Sequence, residues 1–119
     1  MAKYSTEEKF FARLITLTRY ESNHRRHLDF NIDLEYLMLL WNAQQGLCAL
    51  SNKPMDMKRS CTTSRTNPDV CTIDRIDSTK GYVKGNIQLV RWLLNRIKIN
   101  LSQDEFLDVC NSVVKTLSH

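Results

Sequence analysis

The sequence predicts a mostly helical α+β fold in which a short antiparallel hairpin and a helix are flanked by N-terminal and C-terminal helices. Serine-led capping boxes precede helically spaced apolar residues near both ends of the chain, and a β-branched segment with a following turn lies between them. The 119 residues, 42% apolar and 25% charged, suit one folded domain and exclude a disordered chain. We divide the chain into N-terminal helices (1–45), a core (46–100) that contains a loop (51–69), and a C-terminal helix (101–119).

Capping boxes predict the first and the last helix. Ser5 and Glu8 can each bond the free backbone amide of the other, which begins a helix that extends to about Tyr20. Ser102 and Glu105 repeat the pattern at the start of the C-terminal helix. Apolar residues follow both boxes at helical spacing, so each helix has an apolar face.

The segment between the first helix and the hairpin contains a second helix and a long loop. Asn31 or Asp33 caps this helix, and Gly46 ends it. Leu47–Leu50 is a short apolar stretch that we predict to be a strand. Ser51–Asp69 is rich in Ser, Thr, Asn and basic residues, which predicts an exposed loop, and loops of this length are usually functional.

A hairpin and a helix are predicted in the second half of the core. Val70–Ile76 is rich in β-branched residues and predicts the first strand, and Gly81–Gly85 predicts the second strand after a turn. Asn86 then caps a helix. The predicted buried stripe of this helix consists of Ile87, Val90, Leu93, Leu94, Ile97 and Leu101. Its polar and basic face consists of Arg91, Asn95 and Lys98.

The charge of the chain is unevenly distributed. Lys and Arg number 17 against 13 Asp and Glu, a net charge of +4, and the excess is concentrated between Lys53 and Asn100. A basic segment is typical of a protein that binds a polyanion, because each phosphate contact releases counterions, although a solvated charged surface gives the same pattern. The basic continuation of the first helix, Glu21–His27, has the same two interpretations.

The absence of targeting signals and the cysteine spacing indicate the cellular compartment that we expect for the protein. No apolar run is long enough to span a membrane and the N-terminus does not resemble a secretory signal, so we expect a cytoplasmic protein without a membrane partner. The cysteines form no closely spaced pair, which favours buried free thiols over disulfides. The alternative is a zinc-structured interaction domain. Its ligands would be Cys48, Cys61, Cys71 and Cys110.

Three segments, Cys71–Asp77, Gly81–Asn86 and Asn95–Lys98, together resemble the ββα-metal finger of HNH (His-Me finger) endonucleases. Upstream, Trp41–Ser51 resembles the lead-in of small stand-alone HNH proteins that are common in phages. The resemblance spans roughly residues 20–117. It implies a DNA endonuclease, located in the host cytoplasm if encoded by a phage, with RNA not excluded as a partner.

The resemblance also implies a cofactor and a set of site residues. The cofactor is a divalent metal ion, Mg²⁺ or Mn²⁺ in preference to Zn²⁺, held by the oxygen atoms of Asp74 and Asn95. Asn86 matches the Asn that ties the loop of the finger by hydrogen bonds, a role that also suits a plain helix cap. The candidate nucleic-acid contacts are Arg25, Arg26, Arg75, Lys80, Lys84, Arg91, Arg96 and Lys98.

The sequence departs from the family pattern at the general base. Arg75 follows the strand Asp where active members have His, and arginine cannot accept a proton from water at neutral pH. Three explanations remain open: a displaced base, a hydroxide formed at the metal without a dedicated base, or a finger that binds after loss of cleavage. For a displaced base, Asp77 is the nearest candidate, and His24 and His27 are more distant ones. The alternative function is therefore a catalytically impaired module that binds nucleic acid or inhibits a nucleic-acid enzyme.

Overall fold

The computed structural model describes residues 3–59 and 66–118, which form four α-helices and one two-stranded sheet. The elements in chain order are α1 (Thr6–Glu21), a π-helical turn (Ser22–Arg26), α2 (Leu34–Gln44), β1 (Cys71–Arg75), β2 (Ile87–Arg91), α3 (Trp92–Lys98) and α4 (Gln103–Leu117). We call β1, β2 and α3 together the finger. The predicted α+β class, with a hairpin and helix flanked by other helices, is confirmed.

The predicted helix starts are confirmed at the first, second and last helices. Both capping boxes are present, at Ser5 with Glu8 and at Ser102 with Glu105. Asp33 caps α2, since its carboxylate accepts a hydrogen bond of 2.8 Å from the amide of Tyr36. The chain leaves α2 at the predicted place, through left-handed backbone at Gln45 and Gly46.

The hairpin exists, but its second strand is not where the sequence predicted it. Gly81–Gly85 connects the strands, and the strand paired with β1 is Ile87–Arg91. Asn86 therefore precedes a strand instead of capping a helix, and α3 begins only at Trp92. The apolar residues from Ile87 onward fit a helical period as well as a strand, and only pairing with β1 decides between the two.

The predicted buried stripe of this helix is also wrong, because Ile87–Arg91 form a strand. Leu89 and Val90 are fully buried by strand pairing, whereas Leu93 and Ile97, which lie on the short α3, are 36% and 50% exposed. The predicted strand at Leu47–Leu50 is also wrong, since Leu47 makes a single bridge to Pro54 and a turn follows. Ser60–Arg65, within the predicted loop, lie outside the described residues.

A hydrophobic core holds the finger against the N-terminal helices. Backbone hydrogen bonds between the β1–β2 connection and the segment after α1, which we call the seam, hold it as well. Phe11, Leu37 and Leu89 are fully buried in this core. At the seam, the amide of Tyr82 donates a 2.9 Å hydrogen bond to the carbonyl of Asp29. A Cβ at Gly81 would collide with that carbonyl, so the close approach requires glycine. The seam fixes the β1–β2 connection against the segment that follows α1.

The C-terminal helix α4 is the least buried element of the described chain. Phe106 is its one buried residue, and Leu107, Val114 and Leu117 are more than half exposed. In residues 3–59 and 66–118, no helix combines the length and the apolar character that a membrane span requires.

Candidate active site

The site lies where α3 packs against β1. Thr72 and Asp74 are two residues apart on a strand and project from the same face, while Asn95 and Lys98 are three residues apart on a helix and share a side. The two pairs meet. The Asn95 amide Nδ2 donates to Thr72 Oγ1 at 2.9 Å and to the carbonyl of Ile73 at 3.2 Å. Lys98 meets Asp74.

Asp74 and Lys98 form a buried ion pair. The Lys98 side chain is completely buried and that of Asp74 is 3% exposed. The ammonium Nζ lies 3.2 Å from Oδ1 and 3.1 Å from Oδ2 of Asp74, and it also donates to the carbonyl of Arg75 at 3.1 Å. Gln88, the cross-strand partner of Asp74, donates to Oδ2 at 2.9 Å. Each charge is thus compensated inside the protein, as burial requires.

A cavity opens beside this pair. Its volume is about 380 Å³, enough for on the order of ten water molecules. One wall comes from α1 and the π-helical turn, and the other from the finger and the connection between β1 and β2. The first wall includes Leu14, Thr18, Glu21 and Arg26, and the second includes Thr72–Arg75, Tyr82, Asn95 and Arg96. Asp74 and Asn95 therefore face one shared space, although the cation nearest to Asp74 is the ammonium of Lys98.

The donor atoms at the cavity fit a hard divalent cation. Asp74 offers an anionic oxygen, and Asn95 uses its Nδ2 for two hydrogen bonds while its Oδ1 accepts none from the described residues. Within the described ranges, no group of three or more His, Cys, Asp or Glu is arranged to hold a metal ion. Any cation here would have two protein oxygen ligands and would keep positions for water and substrate, as Mg²⁺ commonly does.

Arg75 is a buried structural residue. Its side chain lies over the ring of Tyr82, 5.3 Å from the centroid, and the residue is 8% exposed. Nη1 donates to the carbonyls of Ser78 and Lys80 at 2.6 and 3.1 Å. The arginine at the expected histidine position thus holds the turn that follows β1.

Asp77 and Asn86 belong to the same turn. Asp77 Oδ1 accepts hydrogen bonds from the hydroxyl and the amide of Thr79, and these bonds lower the pKa of Asp77. A lowered pKa weakens a proton acceptor, and Asp77 does not line the cavity. Asn86 accepts from the amide of Asp77 and donates to the carbonyls of Asp77 and Gly81. Asn86 therefore ties the loop between β1 and β2.

The N-terminal wall brings a different acidic residue to the cavity. His24 Nδ1 lies 3.0 Å from the carbonyl of Tyr20 and its ring stacks on the Tyr20 ring, and neither His24 nor His27 lines the cavity. Glu21 does, with its carboxylate 3.8 Å from Arg26 and side chains that are 43% and 40% exposed. Apart from Asp74, Glu21 is the carboxylate that the described chain places on this cavity.

The candidate nucleic-acid contacts separate into two groups. Arg25, Arg26, Lys80, Lys84 and Arg96 are exposed. Arg26 and Arg96 lie at the cavity and, with Glu21, form what we call the rim. Arg91 is mostly buried and pairs with Asp69 at 2.7 Å, while Arg75 and Lys98 are buried. The charged groups of these last three residues bond to other groups of the protein.

None of the cysteines that the structure describes lines this cavity. Cys48 and Cys71 are buried free thiols, and burial raises the pKa of Cys71. Cys110 is a partly buried free thiol on α4, and Cys61 lies outside the described residues.

The sequence does not predict Gln88 or Glu21 as site residues, and it predicts a different role for Lys98. Gln88 falls within the predicted helix, and only the hairpin register reveals its position opposite Asp74. Lys98 is predicted as a nucleic-acid contact, whereas the structure pairs it with Asp74. Glu21 is more than fifty residues from Asp74 in the sequence, and no local pattern connects them.

Sequence comparison relates the chain to a phage protein. No protein-family model matches the chain. An uncharacterized 29.0 kDa protein from the dda-modA intergenic region of Enterobacteria phage T4 is 29% identical over 87 residues, which are 73% of this chain. The match covers 32% of that protein, so the chain spans about a third of the length of this curated relative.

A solved structure provides the more extensive likeness. The rare-cutting HNH restriction endonuclease PacI, described for its mechanism of DNA perturbation, superposes with a TM-score of 0.61. The likeness covers 97% of this chain and 81% of the PacI chain, at 19% sequence identity. At that identity the likeness establishes the fold: this protein has an HNH-type fold, with the ββα finger between flanking helices.

Proposed function

We propose that this protein is a metal-dependent endonuclease that hydrolyses phosphodiester bonds in DNA. The observation that carries the proposal is the shared cavity onto which Asp74 and Asn95 both open, within an HNH-type fold. The exposed arginines of the rim add positive charge where a phosphate backbone would approach. PacI, which shares the fold, is a restriction endonuclease that acts on DNA, and this also supports DNA as the substrate.

The residues divide the work by their chemistry. Asp74 and Asn95 would hold a divalent cation, which would supply Lewis-acid stabilisation of the charge that develops on the phosphate. Arg26 and Arg96 bind phosphates of the DNA backbone, since their side chains are exposed at the cavity. Arg75 and Asn86 keep the turn after β1 in place and so preserve the position of Asp74.

Glu21 accepts the proton from the attacking water. Its carboxylate lies on the cavity wall that faces the finger, and its side chain is 43% exposed, so water reaches it. Arg75 cannot serve as a base, Asp77 is bonded to Thr79, and both described histidines lie off the cavity. The sequence left Asp77, His24 and His27 open as displaced bases. We assign the role instead to a carboxylate of α1.

The test is cleavage of supercoiled plasmid with Mg²⁺ or Mn²⁺ by wild type and by Asp74→Asn, which keeps the shape of the side chain and removes its charge. Asp104→Asn, on α4 and away from the cavity, is the matched control. We expect wild type and the control to nick or cut the plasmid. Asp74→Asn leaves the buried Lys98 unpaired and lowers stability, so its loss of activity is measured at a temperature at which its far-UV circular dichroism matches that of wild type. Equal cutting by Asp74→Asn, or none by wild type, contradicts the proposal.

A second candidate function is a binding module without cleavage, on nucleic acid or on an enzyme that acts on it. The observation that favours it is the pairing of Asp74 with Lys98 and Gln88, which leaves the carboxylate compensated without a metal ion. This alternative predicts salt-sensitive DNA binding by wild type and no cleavage with either metal. The plasmid experiment, run beside a binding titration at two salt concentrations, separates the two functions.

A further inference from the structure

We infer that Lys98 is an internal counter-cation, which holds the Asp74 carboxylate in the metal-free protein and weakens the binding of a divalent cation to it. The inference rests on the proposed function, because it concerns the same carboxylate. It starts from an unusual residue: a lysine is almost never fully buried unless it is paired, and Lys98 is completely buried.

The contacts of Lys98 define what it does. Its Nζ touches both oxygens of Asp74, at 3.2 and 3.1 Å, and the carbonyl of Arg75 at 3.1 Å. All three contacts are with β1, so the ammonium is fixed between α3 and this strand. The buried carboxylate and the buried ammonium together have no net charge, so the pair needs no metal ion for charge balance.

A divalent cation at Asp74 therefore meets a positive charge that is already in place. Lys98 donates a hydrogen bond to Oδ1 of Asp74, Gln88 donates one to Oδ2, and the ammonium also lies 3.1 Å from Oδ2. A metal ion must use the acceptor directions that remain on these two oxygens, and the neighbouring ammonium repels it. Repulsion between like charges is strong where water is largely excluded, as it is around both of these side chains.

Removing the ammonium should reverse this balance. In Lys98→Met the side chain keeps a similar length and apolar stem, and the Asp74 carboxylate is left buried without its cation. A metal ion then supplies the missing positive charge. We expect Lys98→Met to bind Mn²⁺ at least tenfold more tightly than wild type, and to gain more thermal stability from it.

The experiment is a titration of Mn²⁺ by calorimetry, together with melting temperatures in EDTA and in Mn²⁺, on full-length protein. Lys115→Met, on α4, is the matched control and should behave as wild type in both measurements. Lys98→Met should melt below wild type in EDTA and recover in Mn²⁺. The double variant Lys98→Met with Asp74→Asn should lose the gain in affinity, since the carboxylate that binds the ion is gone.

The inference is overturned if Lys98→Met binds Mn²⁺ no more tightly than wild type. If Lys98→Met folds only with Mn²⁺, that result supports it; if it does not fold in either condition, Lys98→Gln, which keeps a donor without the charge, decides by the same affinity criterion. Plasmid cleavage by wild type with no gain in affinity defeats this inference alone. A gain in affinity without plasmid cleavage by wild type defeats the proposed endonuclease and leaves the counter-cation in place.

Discussion

The interior of the finger and the rim of its cavity use charged side chains in opposite ways. In the interior, Asp74, Arg75 and Lys98 are buried and each is bonded to defined partners at about 3 Å. On the rim, Glu21 and Arg26 are about two-fifths exposed and meet at 3.8 Å. The interior charges fix the position of a carboxylate, whereas the rim charges are free to rearrange around a ligand. A basic composition therefore does not tell which charges are available to DNA.

The largest effect expected from this comparison is on stability. Lys98→Met should destabilise the metal-free protein by about 3–5 kcal/mol, because breaking a buried pair leaves one charge unpaired. Arg96→Ala, on the rim, should stay within about 0.5 kcal/mol of wild type. Urea-induced unfolding in EDTA measures both. Equal losses for the two variants would show that Lys98 is not buried as described.

The next effect is on the reaction rate. Glu21→Gln should slow plasmid cleavage by about 10²–10⁴-fold, the usual contribution of a general base. Its unfolding free energy should change by less than about 1 kcal/mol, since its pairing with Arg26 is exposed to solvent. Glu7→Gln, in the first turn of the same helix, should cut at the wild-type rate.

A histidine at position 21 distinguishes proton transfer from a structural role. Glu21→His should recover part of the activity, with the acidic limb of the pH–rate profile moved up to about pH 6–7, where imidazole loses its proton. The charges that face position 21 are Arg26 beside it and, across the cavity, Asp74, Arg75 and Arg96. An unchanged pH profile in this variant would eliminate Glu21 as the proton acceptor.

A smaller loss is expected at Arg75. Arg75→Met removes the bonds to the carbonyls of Ser78 and Lys80 and should cost about 1–3 kcal/mol of unfolding free energy. Arg13→Met, at an exposed position of α1, is the control and should cost almost nothing. If Arg75→Met were as stable as this control, the guanidinium would not be holding the turn.

The rim should control the salt dependence of DNA binding. Arg26→Ala and Arg96→Ala should each reduce the slope of log affinity against log salt by about 1, because each removes one of the proposed phosphate contacts. Lys98→Met should leave the slope as it is in wild type. A titration of duplex DNA at several salt concentrations, without divalent cations, tests this directly, and a reduced slope in Lys98→Met would contradict the division between interior and rim.

The smallest expected effect is the pH dependence of the turn at Asp77. Hydrogen bonds from Thr79 lower the pKa of Asp77, so its carboxylate stabilises the folded state above its unfolded pKa. That contribution is lost as the pH falls below about 4 and through the lower pKa of the folded state. Asp77→Asn should therefore be less stable than wild type at neutral pH, and the difference should shrink in acid. Urea midpoints at two pH values check it.

Much of the helical architecture could be predicted because its signals are local. The serine and glutamate of a capping box are three residues apart, and Asp33 bonds an amide three residues away. The hairpin register could not be predicted in this way. Ile87 and Val90 suit a helical stripe as well as a strand, and their choice depends on a partner, Cys71–Arg75, that is distant in the sequence.

One part of the candidate site could be predicted from the sequence, the proximity of Asp74 and Asn95. Both residues line one cavity in the structure, and their role as metal ligands stays a prediction. The burial of Lys98 could not be foreseen, because lysine is nearly always a surface residue and only the ion pair makes this exception affordable. Glu21 belongs to the other wall, so its proposed role depends on how α1 packs against the finger.

The π-helical turn after α1 has a consequence for how this wall tolerates changes in length. In a regular α-helix, residues five apart point about 140° away from each other, yet Glu21 and Arg26 meet, because the wider turn brings them to one side. Removing a single residue from Ser22–Arg25 would restore regular winding and leave the arginine four residues after its glutamate, where side chains on an α-helix again face each other. This wall is therefore expected to tolerate the loss of that one extra residue with the pairing kept.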